Sequence, residues 1–223
     1  MQKKQHVHFI GIGGSGMSAI ARIMLGLGYH VTGSDLKTSA LSERLEALGA
    51  TCYLGHADEN LEDADIVVAS TAIPPTNVEL IKAREKRLNV MHRGEMLAWL
   101  MRRQKGIAIA GAHGKTTTTS MIALVLEKND LDPTILIGGD LTQIGGNAKL
   151  GGGDYLVAEA DESDGTLARY APAVTVLTNI DLDHLEHFDG EAALTACFAS
   201  VVAGTREGVA VFGTSPKYLA SLE

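Results

Sequence analysis

The chain has 223 residues, 45% of them hydrophobic and 4% aromatic, and a formal net charge of -8. That length holds one large domain or two small ones, with apolar side chains enough for a core. The acidic balance argues against a nucleic-acid footprint, and no apolar run reaches the roughly 18 residues of a membrane span.

Elements follow in chain order. Val7-His8-Phe9-Ile10 reads as a buried strand. Ser15 to Leu27 reads as a helix, with Met17, Ile20, Ile23, Met24 and Leu27 on one face. A second strand is expected at 30–34, a helix at 39–48 stopped by Gly49, a strand at 65–70, a helix at 78–86, a short strand at 89–91 and a helix at 95–103. Alternating strands and helices imply right-handed crossovers and a parallel sheet. After the polar stretch Arg102-Arg103-Gln104-Lys105 a second unit begins. Its expected strands are 106–110, 154–159, 173–178 and 208–212, with a helix that opens on Lys115 and Thr116 and runs to Leu126, and helices over 192–202 and 216–222. The N-terminus carries lysines but runs into a glycine-rich turn, so no signal peptide is expected. Cys52 and Cys197 lie far apart in apolar contexts and read as core thiols of a cytoplasmic protein.

The first chemical signal is Gly11-Ile12-Gly13-Gly14-Ser15-Gly16, between a strand and a helix. Glycines permit a tight turn and close backbone approach, and the helix start offers N–H groups to a pyrophosphate. Asp35 ends the second strand, where an acid can hold a ribose hydroxyl. Alone, this pattern suggests NAD; the same turn accepts any nucleotide diphosphate, or none.

The stronger signal is Gly111-Ala112-His113-Gly114-Lys115-Thr116-Thr117, again between a strand and a helix. Backbone N–H groups at a helix start, with a lysine ammonium, make a polyphosphate site, and the Thr116 hydroxyl can ligate Mg²⁺ riding on the phosphates. The general phosphate loop has four residues between its glycine and its Gly-Lys pair. Here two residues separate Gly111 from Gly114, so a shorter variant is expected. The plain alternative is a glycine turn with an incidental lysine.

Two further blocks sit at carboxyl ends of strands, where open α/β sheets bind ligands. Glu159-Ala160-Asp161-Glu162-Ser163-Asp164 holds four carboxylates, and Glu159, at the strand end, is the candidate Mg²⁺ ligand. The alternative is a solvated acidic loop. Thr178-Asn179-Ile180-Asp181-Leu182-Asp183-His184-Leu185-Glu186-His187 fits a second divalent site or a γ-phosphate contact, with His184 the better candidate. Ser70 and Thr71 at a strand end are positioned to contact a ligand, and Arg93 to meet a phosphate; helix capping or surface placement explains them equally well.

In order and spacing these blocks resemble the Mur ligases of peptidoglycan synthesis. The resemblance also takes in Gly33-Ser34-Asp35, Arg93-Gly94-Glu95-Met96-Leu97 and Asn147-Ala148-Lys149-Leu150-Gly151. The short phosphate loop is that family's own form. The acidic block followed by Thr-Asn-Ile and Asp-His resembles the L-alanine-adding branch. Ala112 stands where threonine is commoner, and Gly94 where alanine is common.

The resemblance implies an α/β protein: a Rossmann-like parallel-sheet domain over 1–104 that binds a UDP-sugar, then over 105–223 the N-terminal part of a central ATP-binding domain. It implies an ATP-dependent ligase that joins L-alanine to UDP-N-acetylmuramate through an acyl phosphate, with ATP and Mg²⁺. Gly11, Gly13, Gly14, Ser15, Gly16, Asp35, Ser70, Thr71, Arg93 and Asn147 would serve the UDP-sugar. Residues 111–117 would bind ATP. Lys115, Glu159 and His184 would be catalytic, and Thr116, Glu159 and His184 would hold metal. Family members carry a further C-terminal domain, so this chain is expected to lack turnover alone and to need a complementing fragment or a homodimer. Neither a nucleic acid nor a membrane is an expected partner. An NAD-dependent oxidoreductase and a non-catalytic nucleotide-binding fragment remain the other readings.

Overall fold

The computed structural model describes residues 4–161, 165–181, 188 and 190–211. The expected helix at 216–222, and His184 with its neighbours 182–187, lie outside the described residues.

The first unit is a five-stranded parallel sheet: β1 (His6–Ile10), β2 (His30–Asp35), β3 (Thr51–Leu54), β4 (Ile66–Ala69) and β5 (Asn89–His92), in the order β3-β2-β1-β4-β5. Every residue of β1 is buried, as a central parallel strand covered on both faces requires. The order reverses between β1 and β4, so the crevice where such sheets take ligands opens beyond their carboxyl ends. The crossover helices are α1 (Ser15–Gly26), α2 (Ala40–Ala47) and α3 (Val78–Glu85), with α4 (Arg93–Met101) following β5. The side chain of Asn77 caps α3 through the N–H groups of Glu79 and Leu80. Helix α4 starts two residues earlier than expected, because His92 and Glu95 form a reciprocal capping box.

The second unit comprises β6 (Lys105–Ala110), α5 (Lys115–Lys128), β7 (Thr134–Leu141), β8 (Gly146–Lys149), β9 (Tyr155–Glu159), β10 (Val174–Leu177), α6 (Glu191–Ala203) and β11 (Gly208–Val211). Its sheet order is β11-β10-β6-β9-β7-β8. All pairings are parallel except β7 with β8, an antiparallel pair with a register shift between Leu136 and Leu141. Strands β3, β7 and β8 have no counterpart among the expected elements.

The β7–β8 pair packs on α1 and joins the two units. Helix α1 therefore buries a wide stripe, Met17 to Ala21 with Ile23 and Met24, against its own sheet and against β7 and β8. One apolar core runs continuously from Val7, Phe9, Ile20 and Met24 to Leu136, Ala148 and Leu156. Polar links flank it. Asn147 Nδ2 donates to Ser15 O and Ser18 Oγ, both at 2.9 Å. Arg22 donates to Gly145 O at 3.0 Å, and Arg44 pairs with Asp140 at 2.8 Å. Neither Cys52 nor Cys197 is in a disulfide, and both are half-buried; burial pushes the Cys52 thiol up to about 11, which suits a core thiol.

Candidate functional site

The first loop turns sharply after β1. The N–H groups of Gly11 and Ile12 donate to Ser34 O at 2.8 and 3.0 Å, tying the loop to the end of β2. Asp35 Oδ2 accepts the Gly13 N–H at 2.9 Å, so this carboxylate supports the loop itself. Helix α1 begins at Ser15 after Gly14, without a side-chain cap and without an acid in its first turn. Its N-terminus thus keeps the partial positive charge that favours an anion. Ser70 and Thr71 lie in the turn after β4, beside this loop; the Ile73 side chain packs against Gly11.

Arg93 reaches across from the start of α4. Its guanidinium lies over Gly16, where any side chain would collide with Nη1, and Nη2 donates to Asp161 Oδ2 at 3.0 Å. Asp161 follows β9, so this ion pair spans the two units. Glu95 and Arg169 form a second one nearby. Gly94 packs against the Thr166 side chain, which leaves no room for the alanine common at that place.

The second loop leaves β6 through Gly111, whose φ of +131° and contact with Thr178 and Asn179 exclude a side chain. Gly114, at φ +78°, precedes α5, which also lacks a side-chain cap and a first-turn acid. Lys115 Nζ donates to Gly111 O at 2.5 Å, folding back over the loop. Thr116 and Thr117 are exposed on the first turn. Glu159 Oε1 accepts the Gly138 N–H at 2.8 Å. The adjacent glycines of β7 face both candidate metal ligands: Gly138 faces the Glu159 carboxylate and Gly139 the Thr116 side chain. The Glu159 carboxylate and the Thr116 hydroxyl are hard oxygen donors of the kind Mg²⁺ takes. No group of three or more His, Cys, Asp or Glu that could hold a metal occurs among the described residues, and His184 lies outside them.

Both loops open onto one cleft of about 180 Å³. Ser15, Gly16 and Arg93 line it on one side; Lys115, Glu159 and Asp161 line it on the other. Asn147 uses its Nδ2 on the start of α1, through Ser15 O and Ser18 Oγ. Three contributions escaped the sequence reading: the Gly138-Gly139 step, the partnership of Asp161 with Arg93, and the hold of Asn179 on His113. The only signals for them were a glycine pair after Ile135-Leu136-Ile137 and an asparagine at a strand end.

Beneath the first loop lies a buried polar network. Glu79, fully buried in α3, accepts from Ser34 Oγ at 2.5 Å and Asn60 Nδ2 at 2.7 Å, and lies 3.2 Å from His56 and 3.6 Å from His8. Burial pushes its carboxyl up, but the nearby His8 imidazole and the hydrogen bonds from Ser34 and Asn60 outweigh that and hold it at about 2. On β1, His6 is lowered chiefly by burial.

Comparison with known proteins matches residues 6–105 to the Mur ligase family, catalytic domain, and residues 109–222 to the Mur ligase middle domain. The chain is 68% identical over 212 residues to UDP-N-acetylmuramate–L-alanine ligase of Pelotomaculum thermopropionicum, covering 95% of this chain and 46% of that protein. It is 54% identical to the ligase of the same name from Desulforamulus reducens, covering 94% and 46%. Among solved structures, UDP-N-acetylmuramate-alanine ligase from Thermotoga maritima superposes with a TM-score of 0.90 at 31% identity, covering 97% of this chain and 51% of that one. The UDP-N-acetylmuramate:L-alanyl-gamma-D-glutamyl-meso-diaminopimelate ligase from Neisseria meningitides gives a TM-score of 0.90 at 29% identity, covering 99% and 75%. The chain spans about half the length of the curated relatives it matches. With both matched segments in register with the two sheets, the chain belongs to the Mur ligase family.

Proposed function

We propose that this chain supplies the sugar-nucleotide site and the phosphate loop of an ATP-dependent ligase that joins L-alanine to UDP-N-acetylmuramate. The observation that carries the reading is the shared cleft, with the N-terminus of α1 on one side and Lys115 on the other. In this reading residues 1–104 form the UDP-sugar unit and 105–223 part of the ATP unit. The diphosphate takes the N-terminus of α1 with Arg93, and Gly11, Gly13, Gly14, Ser70 and Thr71 shape the pocket around the nucleoside. The N–H groups of 111–117 take the ATP phosphates.

The chemical problem is to bring two anions together, the lactyl carboxylate and the γ-phosphate. Lys115 supplies positive charge between them and the cleft walls fix their approach; alignment of this kind is worth about 7–11 kcal/mol. The carboxylate oxygen forms a bond to the γ-phosphorus as ADP leaves. The L-alanine amine then attacks the acyl carbon, phosphate departs and the amine loses its proton. Thr116 and Glu159, with His184, would hold Mg²⁺, which when bound neutralises charge on the phosphates. The relatives' shared name supports both substrates. A cytoplasmic setting belongs to this reading; no helix among the described residues is long and apolar enough to cross a membrane.

Calorimetric titration with UDP-N-acetylmuramate, with NAD in parallel, tests the reading. Binding of the sugar nucleotide and not of NAD is expected. Binding of NAD alone would replace the ligase reading with an oxidoreductase.

A further inference from the structure

His113 sits at the apex of the short phosphate loop, and the end of β10 holds it from outside. The His113 N–H donates to Asn179 Oδ1 at 2.9 Å, and the His113 carbonyl accepts from Asn179 Nδ2 at 2.9 Å. A single side-chain amide thus pairs with both polar groups of one residue's backbone, as a neighbouring strand would. Thr178 Oγ1 donates to the same carbonyl at 2.5 Å, and the Ala112 N–H donates to Asn179 O at 3.3 Å. The Thr178 N–H, donating to Ala110 O at 3.0 Å, continues the ladder between β10 and β6 into the loop. A loop two residues shorter than the general form has less chain with which to shape itself. Here its shape is set by the adjoining strand end.

We propose that Asn179 is a positioning residue for the polyphosphate site: its amide fixes the His113 backbone so that the loop's N–H groups are aimed before a phosphate arrives. The benefit is preorganisation, since donors already oriented need no reordering on binding. Asn179 acts through His113, so its removal should weaken polyphosphate and leave the first unit's ligand alone. The inference rests on the reading of 111–117 as a phosphate loop.

The test uses the 223-residue chain with Mg²⁺ and inorganic tripolyphosphate, so that adenine contacts play no part, and a parallel titration with UDP-N-acetylmuramate. Asn179→Ala removes both side-chain bonds. Asn179→Asp has the same shape and keeps the acceptor for the His113 N–H but cannot donate to its carbonyl, which guards against a variant that fails to fold. Both should weaken tripolyphosphate by about tenfold or more, the size of one or two lost hydrogen bonds, with UDP-N-acetylmuramate within about twofold of the unaltered chain. Tripolyphosphate binding unchanged in both variants would overturn the positioning role alone. Equal loss of both ligands would mark a general structural role and also overturn it. Absence of tripolyphosphate binding in the unaltered chain would overturn the phosphate-loop reading together with it.

Discussion

The two glycine loops share one layout, a glycine turn running into a helix N-terminus without a side-chain cap, yet they are secured differently. The first is tied from below: Ser34 accepts Gly11 and Ile12 through its carbonyl and donates to buried Glu79 through its hydroxyl, while Asp35 holds Gly13. The second is tied from the side, by Thr178 and Asn179 at the end of β10. The first loop's anchors lie on the strand beside it and in a buried network. The second loop's anchors come from more than sixty residues away in sequence. A glycine pattern therefore marks a turn into a helix, and says little about what keeps the loop in shape.

Substitutions probe that contrast, beginning with the largest effect. Gly111→Ala puts a methyl group into Thr178 at a positive φ, and should cost about 3–5 kcal/mol in urea unfolding. Gly13→Ala in the other loop meets only the side chains of Asp35 and Ser39, at 3.0 and 3.1 Å, and should cost about 1 kcal/mol. Equal costs would erase the distinction.

Acid should loosen the first unit through Glu79. A folded-state carboxyl held at about 2, against an ordinary 4.5, contributes stability that is complete above pH 4.5 and is lost as pH falls towards 2. The loss should reach about 3 kcal/mol, read from urea midpoints between pH 5 and 2. His6, lowered from 6.5 by burial, adds a loss that starts as pH falls below 6.5. Glu79→Gln should flatten the lower window while reducing stability at pH 7.

Smaller effects belong to the junction between the units. Asn147→Ala removes two hydrogen bonds to α1 and should cost about 1–2 kcal/mol in thermal unfolding. Arg44→Ala breaks a pair whose members are 48% and 52% exposed, and should cost under about 0.5 kcal/mol. A larger cost for Arg44 than for Asn147 would place the junction's strength at its rim.

Much of this architecture was legible in the sequence, because buried parallel strands such as His6–Ile10 and Tyr155–Glu159 are apolar runs closed by a glycine or an acid. Three strands were not. Thr51–Leu54 is a half-exposed edge strand without an apolar pattern. The run Thr134–Leu141 is interrupted by Gly138-Gly139, where Gly138 leaves room for the Glu159 carboxylate that accepts its N–H. Gly146–Lys149 is polar and short, and owes its burial to α1 from the other unit. At the site, motif spacing marked both loops and Glu159, since glycine and lysine positions follow from phosphate geometry. Spacing could not show that Asp35 props Gly13, that Asp161 pairs with Arg93, or that Asn179 grips His113, because each of these depends on how the chain returns upon itself.

If the two loops serve one cleft, the carboxylate of a sugar nucleotide held by the first reaches the lysine of the second. Affinity for UDP-N-acetylmuramate and for UDP-N-acetylglucosamine, which lacks the lactyl carboxylate, should be compared by calorimetry in the unaltered chain and in Lys115→Ala. Lys115→Ala should weaken UDP-N-acetylmuramate by about tenfold and leave UDP-N-acetylglucosamine unchanged. An equal effect on both sugars, or none on either, would mean that Lys115 does not meet the lactyl carboxylate.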